Sequence, residues 1–458
     1  MTKIICLELN EVPNEIMIEI IRDIDMKKYR YDFDYLPTIS LDNNQLHPWV
    51  TWSSFHRGVS HSEHGISDIN QECSSQDEKY PTIMSELSKN GYRVGVFGSM
   101  HSGRVSITDF DKYEFFVPEA FSSHFNCKPK SLTGFQKLNL YMSKSSARVV
   151  SKELPKIKFI FEAFVSYVNH IYKFRSLFCV IKQLFSEVFS PWKKSRRRIV
   201  QSDILFDIYM NLLYKHKPDY SNFFTNHLAS SMHRFWEAKF PHHYEKQISS
   251  KKWINKYKNE INIAMNSARY YLKGLMNFVD NNDDTQLWIV SSMGQSPVQN
   301  YRKSQNYWQI VDMNAFISSL LEEKIEVKQL TQMIPIYGIE ANEFLINLIE
   351  EKLKKVKSNI DIKISSKTNT TLAFIFNKAG FKNNKEVPYF ENLSSGRKTT
   401  IQGIKKVKID ENTGSSAYHV PEGIFYRYGD KLNNLDHLLR DDGFLPITCF
   451  KDLALQIM

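Results

Sequence analysis

Short apolar runs set against amphipathic helical patterns constrain this chain more than any other feature of its sequence. Lys3 to Leu9 reads as a buried strand, and after Pro13 the stretch Asn14 to Ile24 repeats at helical spacing. The pairing returns in PTIMSELSKNGYRVGVFG, where Thr82 is placed to cap a helix, Gly91 to end it and Tyr92 to Phe97 to form a strand. It returns again at Ile261 to Val279, a long helix, followed by the strand Gln286 to Ser291; Asn222 to Thr225 reads as a further short strand. Strands alternating with helices of this length imply an α/β fold with a largely parallel sheet covered on both faces.

The chain's 458 residues can bury a large core, in one domain with insertions or in two or three domains. A formal charge of +10 favours anionic partners such as phosphates, nucleotides, acidic glycans or a membrane surface. No basic run is long enough to argue for nucleic acid, and none is expected as a partner. The five cysteines (Cys6, Cys73, Cys127, Cys179 and Cys449) are scattered and form no CxxC pair, which argues against a disulfide framework and a thiolate zinc site. The opening MTKIICLELNE is interrupted by polar residues too early for a signal-peptide core, and no stretch of about 18 uncharged apolar residues occurs. The expected compartment is the cytoplasm, with the inner face of the membrane as a further location.

Leu154 to Trp192 differs in texture from the rest. Phe159, Phe161, Phe164, Tyr167, Tyr172, Phe174, Phe178, Phe185, Phe189 and Trp192 are interleaved there with Lys and Arg, and the basic cluster Lys193 to Arg198 follows. Two readings are open: a helical insertion packed on the core with a solvated basic end, or a peripheral membrane surface formed by residues 154–198. Farther on, a charged helix (Asn342 to Lys355) and a strand (Thr371 to Phe376) suggest a smaller lobe. The expected organisation is a core in two parts (1–150 and 201–320), an aromatic and basic insertion (151–200), a smaller α/β lobe (321–405) and a C-terminal return to the core (406–458).

The segment HPWVTWSSFHRGVSHSEHGI, His47 to Ile66, carries the most chemical information. Thr51 is placed near the start of a helix, where unpaired amides and the helix dipole stabilise an anion. Its hydroxyl is then either a cap or a nucleophile facing a phosphoryl group. With its neighbours this segment resembles the alkaline phosphatase-like superfamily, in particular its type I phosphodiesterase/nucleotide pyrophosphatase and sulfatase branches. Thr51, Arg57-Gly58 and His64-Gly65-Ile66 fit the family's nucleophile-bearing helix and HGI-like segment. PTIMSELSKNGYRVGVFGSMH resembles the helix–strand–GKWH block, with Ser99 in the Lys position and His101 matching the His. TNHLASSMHRFW resembles the D-x-x-x-H metal motif, WIVSSMGQ the strand ending in S-D-H-G, and AYHVPEGIFYRYG the block bearing the last metal-binding His. Five blocks stand in the family's order, so the resemblance implies an alkaline phosphatase-like sandwich with a helical insertion and a smaller C-terminal α/β lobe.

The departures fall on the metal ligands. Asn10 stands where the first strand should end in Asp, with Glu8 and Glu11 beside it as open replacements. Ser292 and Met293 replace an Asp-His pair, so one metal position keeps only Thr51. The other keeps His233 and His419, with Ala229 in the place of its carboxylate. Catalytic zinc takes three N, O or S protein ligands, so a two-metal centre is not expected. The expectation is no cofactor, or at most one divalent ion on His233 and His419.

Thr51, His233, His419 and His227 are accordingly the expected catalytic residues, a nearby histidine acting as base to Thr51. His56 lies in the same blocks. Asn10, Glu11, Trp52, Arg57, His64, His101, Asn226, Arg234 and Trp236 are the expected substrate-binding residues, the arginines through bidentate phosphate contacts. Each histidine has a packing or capping role as its alternative, and each tryptophan a core role. The implied activity is a hydrolase or transferase on a phosphodiester, nucleotide sugar or lipid-linked glycan. The alternatives are a metal-independent glycosyl- or phospho-transferase in surface-polysaccharide assembly without a covalent Thr intermediate, and a non-catalytic binding protein on the same fold.

Overall fold

The computed structural model describes the chain except residues 1, 43–44, 70, 72, 102–111, 123, 146–156, 172, 302–305, 331–335, 359–360, 378–386, 394, 409–413 and 431–432. Leu154 and Tyr172 of the aromatic insertion thus lie outside the described residues. The central sheet has 8 strands: β1 (Lys3–Leu9), β2 (Asp34–Ile39), β3 (Val94–Phe97), β4 (Phe115–Val117), β5 (Tyr220–Thr225), β6 (Thr285–Ser291), β7 (Glu422–Tyr428) and β8 (Leu445–Pro446). Their order across the sheet is β8-β2-β7-β6-β1-β5-β3-β4. Every pairing is parallel except the two made by β7. The alternation of strand and helix therefore yields the α/β fold with a largely parallel sheet that the sequence implies.

Strand parity divides the core in two. Ile5, Leu7 and Leu9 of β1 join one apolar cluster with the helices α1 (Asn14–Arg22), Arg197–His216, His227–Lys239 and Glu260–Asp280. Ile4 and Cys6 point the other way, into a cluster with Pro48–Arg57, Ile83–Lys89 and Phe450–Ile457. In chain order after α1, the helices that shape the site are α2 (Pro48–Arg57), α3 (Arg197–His216), α4 (His227–Lys239) and α5 (Glu260–Asp280). Most of these core side chains are fully buried, each contributing about 1.5–3 kcal/mol of transfer free energy.

Local signals act as the sequence implies. Thr82 caps the helix Ile83–Lys89 by accepting from the Ser85 amide, and Gly91 leaves it with φ +86, a region open to glycine. A third cluster, from Ile310 to Ile401, underlies the smaller lobe. Its 4-stranded antiparallel sheet has the order Asp361–Lys367, Thr371–Asn377, Ile336–Glu340, Lys328–Leu330. The lobe reaches the main body through Ser366, whose hydroxyl donates to Asp68 at 3.0 Å. The aromatic insertion forms two helices, Ile157–Val168 and Arg175–Phe189.

Candidate active site

The parallel strands end at one edge of the sheet, where ligands of open α/β folds bind, and a cavity of about 510 Å³ opens there. Asn10 and Glu11 follow β1 into it, Gly98 and Met100 follow β3, and Asn226 and His227 follow β5. His47, Pro48 and Trp49 enter from the start of α2, His233 and Arg234 from α4, and Tyr418 and His419 from the segment before β7. Phe97, Val117, Phe121, Leu205 and Phe224 make much of the wall apolar, and Ile336 and Ile375 of the smaller lobe close one side.

Glu11, His233 and His419 converge. Both Nε2 atoms face the same carboxylate oxygen, at 2.7 Å from His233 and 3.3 Å from His419. Each Nδ1 lies on a carbonyl oxygen, Ala417 at 2.7 Å for His233 and Leu46 at 2.6 Å for His419. A carbonyl only accepts, so each Nδ1 carries a proton, which leaves each Nε2 to donate to the carboxylate or, once deprotonated, to offer its lone pair to an ion at the centre. Gln295 donates to Glu11 Oε2 at 2.5 Å and Asn10 to Oε1 at 2.8 Å, fixing the carboxylate. One ligand atom from each of the three residues lies within 4.8 Å of the other two, and the set of two imidazoles and one carboxylate suits zinc or a similar divalent ion. The outer carbonyls and amides match the second shell such a site uses. Burial raises the Glu11 pKa, but His419 and His233 outweigh it and hold the carboxyl well below its usual range. Burial lowers His419 while Glu11 outweighs it, for a net rise.

The two glutamates are placed on opposite sides. Glu8 shares the parity of Cys6 and faces α2, where Ser99 donates to it at 2.7 Å and Asn222 at 3.0 Å. His56 Nε2 lies 3.5 Å away, and the group is sealed from the cavity, with Glu8 and His56 both at 0% exposure. Asn10 also turns toward α2, accepting from Trp52 Nε1 at 2.9 Å. Glu11 adopts φ +58 and turns to α4 instead. It brings a carboxylate to His233 that Ala229, one helical turn before it, lacks.

Thr51 is placed otherwise than expected. The helix starts at Pro48 with His47 as its N-cap, so Thr51 lies within the first turn rather than at the cap. It is 0% exposed and does not line the cavity. Its hydroxyl shares a 2.8 Å hydrogen bond with Ser292 and lies 3.3 Å from the His47 carbonyl oxygen. A buried hydroxyl paired in this way is not presented to a substrate.

Several other expected site residues serve the fold. His227 borders the cavity, but its Nε2 donates to Ala264 O at 3.1 Å and its Nδ1 lies 2.7 Å from Thr225 Oγ1. Burial lowers its pKa to about 4, so it is a neutral, fully engaged ring rather than a base. His64 accepts from the Ile66 amide at 2.9 Å and so donates through Nε2 to Ser54 at 3.0 Å, away from the cavity. Arg57, at the far end of α2, binds Asp77 at 2.6 Å and the Tyr80 carbonyl at 2.7 Å. Trp52 and Trp236 are core residues; the latter donates its indole N–H to His243 at 3.2 Å. His101 is buried at φ +57 beside the cavity-lining Met100 and is not itself in the wall. Asn10, Glu11, Asn226, Arg234, His233 and His419 do meet in one place.

Three contributors carry weaker signals in the sequence. Gln295 follows the SSMG turn, where a family carboxylate and imidazole draw the eye first. His47 stacks on Trp49 with centroids 4.8 Å apart and meets His419 edge-on at 5.9 Å. Arg198 lines the cavity and donates to Ser230 at 2.6 Å, although the cluster containing it reads as a solvated basic end. That end is largely consumed by pairing, because Arg196 binds Glu260 at 2.6 Å and Arg197 binds Glu187 at 2.5 Å.

No protein-family model and no curated protein matches the chain. Among solved structures it is similar to a phosphonoacetate hydrolase from Sinorhizobium meliloti 1021 in complex with phosphonoformate, at 10% identity and a TM-score of 0.42, over 100% of this chain and 95% of that one. A murine ectonucleotide pyrophosphatase/phosphodiesterase 5 in complex with AMP is similar at 11% identity and a TM-score of 0.37, over 100% and 95% of the two chains. TAB5 alkaline phosphatase is similar at 8% identity and a TM-score of 0.36, over 100% and 99%. Four of the five sequence blocks place residues in the wall of one cavity at one edge of the sheet, and the fifth reaches its centre through Gln295. The five blocks thus meet at one edge of a largely parallel α/β sheet, as the sequence resemblance leads one to expect.

Proposed function

We propose that the chain is a hydrolase or transferase acting on a phosphate-containing substrate, with Glu11, His233 and His419 as its reactive centre and one divalent ion held between them. The observation that carries this reading is the convergence of two imidazole Nε2 atoms on one carboxylate oxygen, with both Nδ1–H groups committed to carbonyls. When bound, a divalent ion supplies Lewis-acid polarisation of a phosphoryl oxygen. Gln295 and Asn10 keep Glu11 oriented, and Arg198 and Arg234 in the same wall give phosphate oxygens two guanidinium partners. The apolar wall excludes water and accepts a non-polar leaving or acceptor group.

Calorimetric titration with zinc or manganese tests the site, paired with turnover of a chromogenic phosphodiester by the loaded protein. One equivalent bound, lost in His233→Ala and His419→Ala together with turnover, is expected. Two equivalents would refute the single-ion centre. Turnover that survives thorough chelation would favour the alternative in which the raised His419 acts as a general acid against Glu11 with no ion. Metal binding without turnover of any phosphoester would leave a binding protein on this fold.

A further inference from the structure

The helix Arg175–Phe189 is inside out. Its buried residues are Ser176, Gln183 and Glu187, while Phe178, Ile181, Leu184, Phe185, Val188 and Phe189 face outward. The inward polar face is satisfied by specific bonds: Ser176 donates to the Asp203 carbonyl at 3.1 Å, Gln183 to the Lys193 carbonyl at 2.8 Å, and Glu187 accepts from Arg197. These bonds fix the helix's rotation, so its phenylalanines cannot turn inward without breaking them. The neighbouring helix Ile157–Val168 adds Ile157, Phe161, Phe164 and Val168 at helical spacing on its own outer face. Ile157, Phe174 and Phe189 are 85%, 76% and 84% exposed, far beyond the scattered apolar exposure of an ordinary surface.

We propose that these two helices form a docking surface for an anionic membrane, lying in the plane of its interface. Charge complementarity selects this occupant. Residues 157–198 carry nine Lys and Arg against two carboxylates, Glu162 and Glu187. Arg175, Arg196 and Arg197 are engaged by Asp203, Glu260 and Glu187 and Arg198 by the cavity wall, so the outward positive charge comes from the five lysines. Neither carboxylate stands out into solvent: Glu187 is buried on Arg197, and Glu162 pairs with Lys137 at 3.6 Å and Lys158 at 3.8 Å. Lys158, Lys173 and Lys182 are exposed among the outward apolar residues, where their stems can snorkel and their ammonium groups meet lipid phosphates. The helices have 12 and 15 residues, and no helix among the described residues is long and apolar enough to cross a membrane. Burial of one face at the headgroup boundary is the mode left to such helices. The surface also sits one helix layer from the cavity, because Arg175–Phe189 is bonded to α3, which supplies Arg198, Gln201 and Leu205 to the wall. The inference does not depend on a metal in the cavity.

Sedimentation of the full chain with vesicles tests this, using neutral phosphatidylcholine and a 7:3 mixture of phosphatidylcholine and phosphatidylglycerol. Expected is binding to the anionic vesicles at least about tenfold tighter than to the neutral ones, weakening as salt rises. The double variant Phe178→Glu/Phe185→Glu should lose at least about tenfold in binding with an unchanged circular dichroism spectrum, both positions being exposed. Phe178→Trp, a conservative second probe, should show a blue-shifted emission when anionic vesicles are added. Equal binding of wild type and the double variant overturns the proposal, as does no binding to anionic vesicles at millimolar lipid. It is also overturned if the wild type is a stable oligomer that the double variant converts to a monomer while neither binds vesicles; the face is then a contact between copies of this chain.

Discussion

Two halves of the site occupy adjacent positions at the sheet edge and differ in chemistry. On the α2 side, where the family resemblance places one metal, Asn10, Thr51 and Ser292 are neutral and bond to protein partners: Asn10 with Trp52, Glu11 and Asn226, and Thr51 with Ser292. On the α4 side, His233 and His419 have a carboxylate from Glu11 and direct both Nε2 atoms at one of its oxygens. The first half is closed by hydrogen bonds from uncharged side chains, which can be buried cheaply when every partner is met. The second concentrates ionisable groups whose burial is tolerable only with a counter-charge. The two halves are coupled, because the closed half also holds the open one: Asn10 binds both Trp52 and Glu11.

Reopening the closed half should produce the largest effect. Asn10→Asp combined with Ser292→Asp buries two carboxylates and removes the amide that donates to Glu11 and Asn226. Denaturant unfolding without metal should show a loss of about 3–5 kcal/mol, the usual consequence of uncompensated buried charge. Zinc or manganese should restore much of it and bind as a second equivalent. A double variant as stable as wild type under chelation would mean that this half is not closed as described.

Disabling the open half comes next. Glu11→Gln should weaken metal binding by on the order of 100-fold or more, read by calorimetry, and should lower stability under chelation because it removes the counter-charge of His419. Gln295→Ala, which removes only a donor to Glu11, should weaken it by about tenfold. Equal affinities in wild type and Glu11→Gln would place the ion elsewhere.

These contrasts also show what the sequence could and could not disclose. The fold was legible because strand and helix periods, the Thr82 cap and the Gly91 exit are local, and the observed elements differ from them by a few residues at the ends. His233 and His419 were legible because their blocks retain both spacing and identity. Glu11 was ambiguous for a physical reason: it lies past the end of β1, where alternation no longer dictates direction, and φ +58 turns it to the opposite face from Glu8 and Asn10. Arg57 and His64 misled because the letters that place them in the family motif also serve helix ends and turns. Arg198 was hidden inside a basic cluster whose members separate once α3 is folded.

A smaller effect should come from the sealed group beneath the site. Burial pushes Glu8 up to about 8 from 4.5, and burial with Arg57 pushes His56 down to about 3 from 6.5. Glu8 is thus folded as the neutral acid, and its contribution is full below pH 4.5 and lost as pH rises toward about 8. His56 is folded as the neutral ring, and its contribution is full above pH 6.5 and lost as pH falls toward about 3. The pair is therefore most favourable between 4.5 and 6.5. Unfolding free energy should fall by roughly 2 kcal/mol from pH 5 to pH 8, and Glu8→Gln should flatten that slope. An unchanged slope in Glu8→Gln would assign it to other groups.

The smallest effect should fall on Thr51, the residue from which a family-based expectation would anticipate the greatest. Thr51→Ala removes one half of the 2.8 Å bond to Ser292 and leaves that hydroxyl buried at 0% exposure. The cost should be about 1 kcal/mol in denaturant unfolding, up to about 3 if Ser292 finds no substitute. Turnover by the metal-loaded protein should stay within about threefold of wild type, since Thr51 lies outside the cavity wall. A hydroxyl acting as nucleophile predicts instead a loss of several orders of magnitude with stability nearly intact. The two outcomes separate stability from turnover in opposite senses, so one variant decides whether the chemistry has moved from the closed half of the site to the open one.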